Sequence, residues 1–264
     1  MRQATWLLIV LAVAACGRNS VGISTPDPAQ DAPQASPVPS GAQQIGPGTI
    51  GAFVLPSDAP EANSGGRATV LLANYADDLS RLRLNGPVIL SAQPAFGNPL
   101  LTQDQAKAEW LHIKTWAKPI LGSVSAILID EPYQNGISES RLAWSLALLH
   151  SEGFKTLVTE VVKYASVSHG STDYYGVTCY DNVGPDSRTL DKCTSYYQDH
   201  PEWNVVIGQG CDWEQRNGPV SLQIHQWSTI ARTSNRPLLF WAWRYPGQEC
   251  LADNADALAA YKSL

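Results

Sequence analysis

Asp130 and Glu131 stand side by side at the end of an apolar run, VSAILIDEPY, and Pro132 stops the run behind them. Two carboxyls beside apolar side chains are costly to desolvate without a partner or a use. Desolvation also raises a carboxyl's pKa, which suits a general acid. Adjacent residues on a regular strand point to opposite faces. Glu131, last before the proline, is therefore the candidate to reach a cleft, with Asp130 one layer below as its support or as a substrate contact. The structural alternative is that the pair caps a neighbouring helix or forms an ion pair.

Other chemistry-bearing residues fall at the ends of similar apolar runs. Glu160 lies in TLVTEVV and Asp181 in CYDN, and either can be the second carboxylate beside Glu131. Gln93, Tyr133, Gln209, Trp241, Trp243 and Arg244 close the inventory, with Trp241 and Trp243 expected to share one inward face. Paired carboxylates supply acid, base or nucleophile for glycosidic bonds. Amides and Arg hydrogen-bond hydroxyls, and aromatic rings stack on sugars. Asp212 and Glu214 read better as exposed loop charges. The five His show no HxH or HExxH pairing, and no Ser stands in a GxSxG elbow. Neither a metal nor an organic cofactor is called for.

The elements that must position these residues alternate. Strand-like runs fall at 49–55, 87–93, 124–131, 155–162, 174–182, 203–213 and 236–246, with helix-like runs between. Leu71, Leu72, Tyr75, Leu79 and Leu82 fit helical spacing, so 68–86 is predicted as a helix. Near-continuous apolar strands alternating with helices imply a parallel sheet covered by helices. A (β/α)₈ barrel, with one degenerate unit near 163–173, competes with an open doubly wound sheet. No GxGxxG or GxxxxGK[ST] follows a strand, which removes support from nucleotide-binding open sheets. Polar residues just past the strand ends fit the barrel, whose C-terminal rim carries chemistry.

The chain opens MRQATWLLIVLAVAACG. Its apolar run is shorter than the roughly 20 residues of a spanning helix and fits a secretory signal. The VAAC ending resembles a bacterial lipobox. That resemblance implies a signal peptide at 1–15, lipidation of Cys16 and anchorage to a membrane without a spanning helix. Gly17 in place of Asp favours the outer membrane or cell surface. Residues 16–48 are rich in Pro, Ser, Ala and Gln and read as a flexible tether, leaving 49–264 as one domain. Cys179, Cys193, Cys211 and Cys250 make an even number in an exported chain. Three pairings are possible; Cys179–Cys193 and Cys211–Cys250 are favoured because they join near or successive loops. A formal net charge of −6 without a Lys/Arg cluster argues against a nucleic-acid partner.

ILIDEPY is similar to the strand-end acidic motif of TIM-barrel glycoside hydrolases. PVILSAQPAF and PLLFWAWRYP resemble their second and last strands. The pattern covers the whole domain, with identity in few residues. The resemblance implies a (β/α)₈ barrel acting on carbohydrate, with Glu131 as general acid. The chain departs from it in carrying Asp-Glu where the large retaining clan has Asn-Glu, and in lacking a carboxylate on LLFWAWR. The chitinase-like DxxDxDxE run is also absent. A glycan-binding surface lipoprotein without turnover is the alternative.

Overall fold

The computed structural model describes residues 42–165, 167, 169–178, 190–211 and 219–264. Eight strands close into a barrel in chain order: β1 (Ile50–Val54), β2 (Ala68–Leu71), β3 (Val88–Ser91), β4 (Val124–Asp130), β5 (Thr156–Val161), β6 (Tyr174–Thr178), β7 (Val205–Gln209) and β8 (Leu238–Trp241). Every pairing is parallel, and β8 returns to β1 through Ile50 opposite Leu238. This is the (β/α)₈ fold.

The main helices on the outside are α3 (Gln103–Ala117), α4 (Glu139–Ser151), α5 (Leu190–Asp199), α6 (Val220–Thr233) and α7 (Ala255–Ser263). Two single-turn helices precede α3: α1 (Ala59–Ala62) after β1 and α2 (Gln93–Phe96) after β3. The sequence explains where the long helices begin. Thr102 and Gln105 form a reciprocal capping box at the start of α3, and Ser138 caps α4 through the Arg141 N–H.

The eighth strand is β2, so the helix predicted over 68–86 is corrected. The run Ala68-Thr69-Val70-Leu71 is fully buried, and burial on both faces defeats any amphipathic reading of it. Only Leu79–Arg81 within that span is helical, as one 3₁₀ turn. The stretch 163–173, expected to hold a degenerate unit, contains no strand among its described residues.

Strand alternation divides the core in two. Phe53, Val70, Ile89, Leu128, Leu157, Ile207 and Leu239 fill the barrel interior. Val54, Leu71, Leu90, Ile129, Val158, Val206 and Phe240 face the helices. Ile45 joins the interior cluster. Its segment is held by Ser125 Oγ donating to the Gln43 carbonyl at 2.5 Å, which closes the end where the strands begin. The opposite end, where they finish, is the mouth. Among the described residues no helix is long and apolar enough to cross a membrane.

Candidate functional site

The mouth is built first by β4. Ala126 and Leu128 belong to the interior, and Ile127 and Ile129 to the helix side. Alternation therefore sends Asp130 into the barrel, and a regular strand would send Glu131 out. The chain departs from regularity at that residue. Glu131 has φ +47°, in the left-handed region that non-glycine residues seldom occupy. Its N–H still donates to the Thr159 carbonyl at 2.9 Å, and its own carbonyl accepts from Asn135 N at 2.9 Å and Asn135 Nδ2 at 2.8 Å. The turn swings the carboxyl across the end of β5 to β6, where Thr178 Oγ1 lies 3.4 Å from Glu131 Oε1. Val177 faces the helices, so Thr178 faces in. Both carboxyls of the pair thus open on the same end of the barrel.

Asp130 is held from two sides. Its N–H donates to Gln93 Oε1 at 2.9 Å, and the Thr159 hydroxyl donates to its Oδ1. Gly97 makes room for that amide: a Cβ there would stand 2.2 Å from Gln93 Cδ. Burial pushes the Asp130 carboxyl up to about 6, against the Thr159 hydrogen bond, which pulls it down. The group therefore exchanges a proton within the mildly acidic range.

Glu160 takes a different place from the one expected of a second catalytic carboxylate. It follows Thr159 on β5, so it points to the helix side and is fully buried. Its Oε2 accepts the Tyr133 N–H at 2.8 Å, its Oε1 accepts the Val161 N–H at 3.0 Å, and the Gln134 N–H also bonds to it. Burial raises it to about 7; the three backbone N–H groups oppose that, and the charge of Asp130 adds to it. It anchors the loop that leaves Glu131, from behind. Asp181, the other expected second carboxylate, lies outside the described residues, as do Asp212, Glu214, Cys16 and Cys179.

The remaining residues divide likewise. Gln209 and Trp241 end β7 and β8 side by side in register. Gln209 is buried and faces in, whereas half-buried Trp241 meets Phe53 edge-on at 4.9 Å. Trp243 does not share that face. The strand has ended at Trp241, and Trp243 is wholly buried on the helix side, 5.5 Å from the Tyr261 ring. Arg244 sits on the rim, paired to Asp58 at 3.3 Å and Asp253 at 2.5 Å. Tyr133 is half-buried beside His169, at 6.3 Å between rings, and burial lifts its hydroxyl to about 12. His169 packs 3.6 Å from Tyr175 behind the sheet, and burial lowers it to about 4. Cys211 and Cys250 are bonded, tying the segments that follow β7 and β8; Cys193 is also disulfide-bonded.

Three residues of the mouth were missed in the sequence: Ser91, Thr159 and Thr178. Each is buried at or near the end of a strand, on its inward side. The signal was present, since hydroxyl residues alternate there with apolar ones. Among the described residues no group of three or more His, Cys, Asp or Glu is arranged to hold a metal ion.

No family model matches the chain, and no curated protein matches it. Among solved structures, a crystal structure of a GH18 chitinase from Flavobacterium johnsoniae aligns with 84% of this chain and 95% of its own, at 9% identity and a TM-score of 0.49. At that distance nothing about activity transfers from one chain to the other.

Proposed function

We propose that the chain is a glycoside hydrolase-like protein of the cell envelope, acting on carbohydrate at the barrel mouth. One observation carries the reading: the left-handed turn at Glu131 brings two consecutive carboxyls onto the mouth. A positive φ on a glutamate costs on the order of 1–3 kcal/mol and is retained where the geometry it creates is used. Glu131 is the general acid toward the glycosidic oxygen. Asp130, with its raised pKa, supports Glu131 from the same mouth or contacts the sugar. Gln93 fixes the backbone of Asp130, while Gln209 and Trp241 bind sugar. Asp181 is the remaining candidate for base or nucleophile. Tyr133 and Arg244 contribute from the rim.

Reducing-end release from a panel of soluble glycans tests this. The wild-type protein is expected to cleave at least one, and Asp130→Asn to lower the rate about 10²-fold or more. A panel bound but uncleaved sinks the enzymatic reading. That outcome leaves the second reading, a glycan-binding surface protein, which draws support from Gln209 and Trp241 because they serve binding without turnover. The lipobox-like VAAC supports a membrane anchor at Cys16 for either version; palmitate labelling abolished by Cys16→Ala is the check.

A further inference from the structure

Gln209 is 1% exposed, and among the described residues neither Nε2 nor Oε1 has a hydrogen-bond partner. Buried polar groups are nearly always paired, and leaving one unpaired costs about 1–3 kcal/mol. Tyr175, Trp203, Trp227 and Trp243 also bury a polar atom without a partner, but these side chains belong to the helix-facing layer. Gln209 differs in two respects. Its donor and its acceptor are both unmatched, and it faces the barrel interior, since Val205 and Ile207 of the same strand do so. The interior below it is closed by Ile207 and Leu239. Half-buried Trp241 is its neighbour in register.

A primary amide presents an N–H and a C=O side by side on one edge. Its complement offers an acceptor and a donor at matching separation. Two adjacent hydroxyls of a pyranose do this. A secondary amide such as an acetamido group does not, because its trans geometry points N–H and C=O in opposite directions. Half-buried Trp241 supplies an aromatic surface for the C–H side of the same sugar. Asp130 and Glu131 on the same mouth disfavour an anionic ligand.

We infer that Gln209 is a specificity-determining residue that reads the vicinal hydroxyl pair of a neutral pyranose held beside Trp241. This rests on the carbohydrate reading and names the sugar class within it.

Calorimetric titration of the full chain with cellotetraose, xylotetraose, mannotetraose and chitotetraose tests the inference. The internal units of the first three carry a free vicinal pair; those of chitotetraose carry none. At least one of the three is expected to bind, with chitotetraose at least about tenfold weaker. Gln209→Leu should lower the affinity for the bound sugar about tenfold or more, as two hydrogen bonds are lost. The same variant without sugar should melt roughly 2–4 °C higher, because an unpaired amide has been removed from the interior. Gln209→Met provides the same comparison if the leucine variant does not fold. Binding with unchanged affinity in the variants, a preference for chitotetraose, or a lower melting temperature without sugar would each overturn the inference while leaving the carbohydrate reading intact. No binding to any of the four would overturn both.

Discussion

Two acidic sites lie on neighbouring strands, with Asp130 opposite Thr159 in register, and they are held in opposite ways. At the end of β4, Asp130 and Glu131 face the mouth, partly exposed, each met by a threonine hydroxyl. On β5, Glu160 faces the helices, fully buried, with backbone N–H groups of Tyr133, Gln134 and Val161 on its oxygens. A hydroxyl can rotate away or share its proton with another group, so the partners of the first site are exchangeable. Backbone N–H groups cannot leave, so the second is committed to holding a loop. Charge near a barrel mouth is therefore a poor guide to chemistry by itself; the strand face and the partner type decide.

Glu160 is expected to be indispensable to folding. Glu160→Ala removes the acceptor for these N–H groups and opens a cavity. We expect a loss of about 3–5 kcal/mol in a denaturant titration, with Asp130→Asn below about 1.5 kcal/mol by the same method. Similar losses for the two would erase the distinction.

The buried site also carries a pH dependence. Glu160 titrates near 7 in the folded state, against an ordinary value of 4.5. The folded chain holds this proton more tightly, so the stabilisation is complete below about pH 4.5 and is lost as pH rises through 7. The full contribution is about 3 kcal/mol. Melting temperature should fall from pH 5 to pH 8, and Glu160→Gln should flatten that fall. An unchanged slope in the variant would contradict the assignment.

The smallest effect concerns the turn itself. Glu131→Gly suits a φ of +47° and should leave stability within about 1 kcal/mol. Glu131→Val, a branched residue in the left-handed region, should cost about 1–3 kcal/mol more. Equal stability of the two variants would show that the turn is not fixed by the fold.

Much of the architecture was legible because parallel barrels leave a coarse trace. Seven apolar runs marked seven strands, and the polar residues behind them marked the mouth. The eighth strand was hidden because Leu71 and Leu72, read with Leu79 and Leu82, imitate helical spacing by chance. The site was less legible for local reasons. In LVTEVV both faces of the strand carry one polar residue among apolar ones, so nothing in the pattern says whether Thr159 or Glu160 turns inward. The turn at Glu131 was invisible, since glycine or asparagine is the usual sign of a positive φ. Trp243 was misplaced because period-two reasoning was carried past Trp241, where the strand ends.

In the proposed reading the mouth pair does the chemistry and Glu160 only supports it. Turnover of the best cleaved glycan, measured for Glu131→Gln and Glu160→Gln and normalised to folded protein, tests this most directly. We predict a loss of about 10²–10⁴-fold for Glu131→Gln, with sugar binding kept within about threefold, and a loss below about tenfold for Glu160→Gln. Turnover abolished in Glu160→Gln and retained in Glu131→Gln would contradict the account.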